Sequence, residues 1–132
     1  KIRNKNITRV QNLKSLFKVS DIISINISLN KNYNLINKKV LKYAKKNMIL
    51  VNTSRGQVIN TLDLLNFLKK NKLSSAALDV IDYKYEKLCF NYLKKYKNLI
   101  LTPHIGGLTK ESIEMADLYL INRFLLWYKK NK

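Results

Sequence analysis

Two kinds of apolar patterning alternate along this chain. Short runs rich in β-branched residues predict strands, and longer stretches with apolar residues three or four apart predict helices. "DIISINI" (21–27) is a run of the first kind, bounded by an acid and a polar stretch. "NKKVLKYAKKN" follows, with Val40, Leu41 and Ala44 at helical spacing and lysines opposite. "MILVNTS" (48–54) again reads as a buried strand. "NTLDLLNFLKKNK" puts Leu62, Leu65 and Leu68 on one helical face, with Asn60 or Thr61 to cap its start and Asp63 in its first turn. "SSAALDV" (74–80) and "NLILTP" (98–103) are two further strands. "ESIEMADLYLINRFLLWYKK" predicts a long amphipathic helix carrying Ile113, Ala116, Leu120, Phe124 and Trp127. Near the start, "ITRV" and "QNLKSLFKVS" fit one more short strand and helix.

Strands that alternate with helices form βαβ units and a parallel sheet, so the fold class is α/β. The near-continuous apolar strands suit a sheet covered on both faces. Ligands of such sheets bind beyond the carboxyl ends of the strands. The unusual residues of this chain cluster at those ends: Asn52 to Gly56, Asp79, and Pro103 to Gly107.

Composition narrows the reading. The 132 residues are one domain's worth, and 46% are hydrophobic, enough for a globular core. The single cysteine, Cys89, excludes an internal disulfide and fits a reducing, cytoplasmic setting. No Cys/His cluster surrounds it, and no metal site is expected. No apolar run reaches the ~20 residues of a membrane span. The net charge of +18 raises nucleic-acid binding as a function. Its only arginines, however, are Arg3, Arg9, Arg55 and Arg123; the excess is lysine, accompanied by asparagine, isoleucine and tyrosine. All are encoded by A/T-rich codons, so genome bias filling solvated faces accounts for the charge, and no specific nucleic-acid partner is expected.

Three sites carry candidate chemistry. Arg55, leaving a strand beside Gly56, has the planar fork that grips a carboxylate with two parallel hydrogen bonds. Taken alone, it better suits a surface arginine capping the next helix. Asp79 ends a strand, where a carboxylate can simply accept turn amides. His104, the only histidine, stands between Pro103, which stiffens the backbone, and Gly106 and Gly107, which allow close approach to a ligand. A histidine on a ligand-facing loop opposite an arginine suits proton transfer near neutral pH.

"ILVNTSRGQVINTLDLLNFLKKNKLSSAALDV" followed by "NLILTPHIGGLTKES" resembles the second half of the nucleotide-binding domain of the D-isomer-specific 2-hydroxyacid dehydrogenases. The resemblance runs from about Ile7 almost to the C-terminus. It includes the segment in which the family usually carries His-x-Pro-Leu and this chain has Asn26, Ser28 and Leu29. It implies a Rossmann-like, doubly wound parallel sheet and a partial NAD(P)-binding domain spanning 1–132, serving oxidation of a D-2-hydroxy acid or reduction of the 2-keto acid. Arg55 would hold the substrate carboxylate and polarise the keto oxygen. His104 would exchange a proton with that oxygen. Thr53, Ser54 and Asp79 would lie along the nicotinamide end of NAD or NADP, with Asp79 near the carboxamide, and Gly106 and Gly107 would let the loop pass close by.

Two departures bear on that expectation. The family's glutamate, five residues after the aspartate, falls on Lys84; Asp82 and Glu86 each lie two residues away, and either can substitute after a loop shift. The sequence also contains no Gly-x-Gly-x-x-Gly loop, its third glycine being Gly56. With "ITRV" as a strand, the chain would supply both flanks of a sheet whose middle is missing. The expectation is therefore a C-terminal fragment or split half, whose partners are the missing N-terminal part, a 2-hydroxy or 2-keto acid, and a second copy in a homodimer. The alternative is a non-catalytic remnant serving as a binding or dimerisation module.

Overall fold

A computed structural model describes residues 6–72 and 74–131; Arg3 lies outside them. Four parallel strands form one sheet in sequential order: β1 (Ile22–Ile25), β2 (Ile49–Asn52), β3 (Ser75–Leu78) and β4 (Leu99–Leu101). Each crossover carries a helix or helical turn, as parallel neighbours require. The helices are α1 (Leu13–Val19), α2 (Lys38–Leu41), α3 (Thr61–Lys70), α4 (Glu86–Leu93) and α5 (Lys110–Lys130). This is the expected Rossmann-like α/β architecture ending in a long helix.

Local chemistry starts the helices where the polar residues stand. Asn12, Asn37 and Asn60 cap α1, α2 and α3, each side chain accepting a backbone N–H of the first turn. Asp63 sits in the first turn of α3 and also accepts the Lys38 amide at 2.8 Å, tying α2 to α3. On α3 the buried leucines are Leu64, Leu65 and Leu68; Leu62, expected inside, is exposed. The apolar stripe is therefore rotated about one position from the one read along the sequence. The short helix α2 stops at Leu41, well before the lysine-rich end of its predicted segment. Between "SSAALDV" and "NLILTP", where the sequence reading names no helix, residues 83–93 fold into a 3-10 turn (Tyr83–Tyr85) and α4, which buries Cys89 and Tyr92.

The core lies on one side of the sheet. Register places Ile23, Leu50, Ala76 and Leu99 in one row and Ile25, Asn52, Leu78 and Leu101 in the next. These rows pack against Phe17, Leu41, Leu64, Leu68, Cys89 and Tyr92 from α1 to α4. On the opposite face Ile22 is 64% and Ile100 62% exposed. The expectation of a sheet covered on both faces is thus corrected: among the described residues, no strand residue of the second face is buried. The helix α5 forms, but none of its residues is buried, including Ile113, Leu120, Phe124 and Trp127.

"ITRV" is not a strand. Residues 7–10 are exposed and join no ladder, and a strand without a paired neighbour leaves its backbone groups to water. The sheet accordingly has no gap in its middle; its four strands are contiguous.

Candidate active site

All four strands point the same way, so the segments that follow β2, β3 and β4 emerge along one edge of the sheet. Two strand-end side chains shape what emerges. Asn52, fully buried at the end of β2, donates from its amide to the Arg55 carbonyl at 3.0 Å. Its oxygen accepts the Ser54 amide at 3.0 Å and the Ser54 hydroxyl at 2.8 Å. This local ring folds the turn that carries Arg55, whose guanidinium also donates to the Ser54 carbonyl. Gly56 follows because nothing larger fits: a β-carbon there would lie 2.1 Å from the Ile81 carbonyl carbon.

Asp79 does the same for the loop after β4. Its Oδ1 accepts the Thr102 hydroxyl and the Ile105 amide, the latter at 2.9 Å, and Oδ2 accepts the Gly106 amide at 2.8 Å. The Thr102 hydroxyl and the two amides hold the carboxyl below its usual range, against the opposing effect of burial. Gly106 is needed because a β-carbon would sit 2.9 Å from that same Oδ2, with the Thr53 methyl 3.8 Å away. Between these anchors His104 adopts a left-handed backbone, φ 58°, unusual for a residue with a β-carbon. Gly107 faces open space.

Arg55, Asp79 and His104, distant in sequence, line one cleft of about 430 Å³. Glu86 from the start of α4 lines it too, and the remaining wall is largely apolar, including Val80, Ile81, Phe90 and Leu101. Thr53, Ser54, Gly106 and Gly107 stand at the loops bordering it rather than in its lining. Lys84 is not part of the cleft. Its ammonium donates to the Tyr33 hydroxyl at 3.0 Å, lies 3.5 Å from the Asp82 carboxylate and stacks over Tyr85. The Tyr33 hydroxyl foremost holds Lys84 charged, above the ordinary ammonium range. Asp82 is occupied in capping the 3-10 turn, so of the two acids that flank Lys84, Glu86 alone reaches the cleft.

The family model described as "D-isomer specific 2-hydroxyacid dehydrogenase, NAD binding domain" matches residues 1–106. The chain belongs to this family. A glyoxylate reductase from Thermococcus litoralis is 43% identical over 111 residues, covering 83% of this chain and 33% of that protein. A glyoxylate reductase from Thermofilum pendens is 42% identical over 109 residues, 80% of this chain and 32% of that protein. Among solved structures, an acyclic imino acid reductase in complex with NADPH and D-Arg superposes with a TM-score of 0.84 at 29% identity, over 98% of this chain and 41% of that one. D-2-hydroxyisocaproate dehydrogenase gives 0.78 at 26% identity, over 91% and 40%. The chain thus spans about a third of the length of the curated relatives it matches.

Some site features were not visible in the sequence. Thr102 as a partner of Asp79, Tyr33 as a partner of Lys84, and Phe90 in the cleft wall all depend on contacts across the sheet edge or on a helix that the sequence reading does not name. For Thr102 a signal existed: a hydroxyl just before Pro103, at a strand end beside an acidic strand end.

Proposed function

We propose that this chain forms the nicotinamide-side half of the active site of an NAD(P)-dependent D-2-hydroxyacid dehydrogenase. The observation that carries the reading is the meeting of Arg55, His104 and Glu86 in one largely apolar cleft at the carboxyl ends of the strands. Arg55 grips the substrate carboxylate through two parallel hydrogen bonds, which a lysine cannot reproduce. His104 delivers a proton to the carbonyl oxygen as C2 is reduced, and takes it back in the oxidation direction. Glu86, which lines the same cleft, is the acidic group assigned beside His104, in place of the position held by Lys84. The apolar wall thins the water around the reacting carbonyl, which strengthens each of these interactions.

The residues present fit one end of the cofactor. Thr53, Ser54 and Asp79 offer polar groups there, and the open space at Gly107 leaves room for close approach. The bound dinucleotide supplies the hydride donor or acceptor. No residues of this sequence match a glycine-rich diphosphate loop, so that end of the cofactor, the open sheet face and the exposed α5 all call for a complementary N-terminal part. A homodimer of the complete enzyme and a cytoplasmic setting, which suits the free, buried Cys89, belong to the same reading.

Calorimetric titration with NADH tests it. The 132-residue chain alone should bind weakly or not at all, and the chain joined to its complementary part should bind and reduce 2-keto acids. Loss of turnover by ~10²-fold in His104→Gln, with cofactor affinity kept, is expected for removal of a general acid. Arg55→Lys should instead raise KM for the keto acid. If neither substitution changes any rate, the chain is a non-catalytic binding module.

A further inference from the structure

We propose that Asp79 is the positioning residue for His104: by accepting the Thr102 hydroxyl before the histidine and the Ile105 and Gly106 amides after it, its carboxylate sets where the imidazole stands relative to Arg55. The inference rests on reading Arg55 and His104 as the reacting pair, and the geometry extends that reading.

The groups Asp79 holds bracket the histidine closely. The Thr102 hydroxyl lies two residues before it, and the Ile105 and Gly106 amides lie one and two residues after. Pro103 restricts the one link not held. His104 itself occupies left-handed backbone, which a side chain with a β-carbon avoids unless the surroundings impose it. Among the described residues the imidazole makes no hydrogen bond, so its place is determined through the main chain. Asp79 is buried and lies at the end of β3, paired on both sides in the sheet, so the clamp is anchored on a rigid element. Gly106 completes the device: its amide approaches Oδ2 only because no β-carbon stands in the way.

Two measurements separate the clamp from the function built on it. Amide NMR of the full chain reads the clamp without substrate. The Ile105 and Gly106 amides should be shifted downfield and protected from exchange. Asp79→Asn, whose amide nitrogen faces a donor, should reverse both effects and move the ring signals of the only histidine, with the rest of the spectrum unchanged. Thr102→Val, which removes one hydroxyl at nearly constant shape, should produce a weaker version of the same changes. Kinetics of the complete enzyme read the consequence. Displacement of a reacting group by about 1 Å can lower rate by ~10²-fold, so Asp79→Asn should lower kcat on that order while KM for the keto acid, held by Arg55, changes little. Asp79→Glu keeps the charge but overreaches the loop, and should not restore kcat. Unmoved Ile105 and Gly106 signals in Asp79→Asn, or full rescue by Asp79→Glu, would overturn the proposal. If the amides respond as expected but the intact enzyme reduces no 2-keto acid, the clamp stands and the dehydrogenase reading falls.

Discussion

The two faces of the sheet differ in what covers them, although the same strands supply both. One face meets α1 to α4 and encloses Phe17, Leu50, Leu64 and Leu68 without solvent contact. The other presents Ile22, Ile49 and Ile100 to water, and the apolar residues of α5 are equally bare. Hydrophobicity along the strands is similar on both sides, so burial here is decided by which elements pack against each face rather than by the strand residues. The candidate cleft opens at the carboxyl edge shared by both faces. Its wall includes Glu86 and Phe90 of α4, from the covered side.

Substitution on the two faces breaks or sharpens this contrast most directly. Leu50→Ala or Leu68→Ala should cost about 2–5 kcal/mol in urea denaturation, because each empties a closed site. Ile22→Thr and Ile100→Thr should stay within about 0.5 kcal/mol in the chain alone. Comparable losses on both faces would mean that the bare one is buried by self-association. Next in size is Gly56→Ala, whose β-carbon meets the Ile81 backbone. It should destabilise by about 1–3 kcal/mol, measured the same way, because backbone must move to admit it.

The site edge gives a smaller, more specific test. In the complete enzyme, Glu86→Gln should reduce turnover by roughly tenfold, less than the ~10²-fold or more lost with a general acid itself, because Glu86 acts through His104. Lys84→Glu should leave kcat nearly unchanged. The cleft contains the first side chain and not the second. A large gain from Lys84→Glu would put the acidic partner back at the family position. The smallest effect is acid-induced. Asp79 has a carboxyl lowered by its bonds to Thr102 and Gly106, so the stability it lends is complete above the unfolded carboxylate value of about 3.9. That stability is lost as pH falls further, through the lower folded value. Exchange protection at Ile105 and Gly106 should therefore fade below about pH 4, ahead of any change in the far covered-face amides of β2.

The four strands and the helices other than α4 were legible in the sequence, because β-branched apolar runs and helical spacing mark elements that must bury apolar side chains. So were Arg55, Asp79 and His104, since a parallel sheet brings its strand ends together without further information. What escaped was decided by partners. Residues 7–10 look like a strand but have no neighbour to pair with. Leu62 and Leu64 exchange inside and outside through a small rotation of α3. Lys84 falls on the family's glutamate position by count, but the Tyr33 hydroxyl and Asp82 draw it away, and only the folded loops bring those groups together.

Trp127 is the only tryptophan in the chain, and it sits on α5 beside Phe124 with more than half its surface open to solvent. Indole emission therefore reports on one place alone, a helix that buries none of its residues among the described part of the chain. A red-lying spectrum that external quenchers reach belongs to the chain by itself. A blue shift with loss of quenching would reveal, optically and without labels, the arrival of whatever shelters that helix, and its concentration dependence would tell a second copy from a different chain.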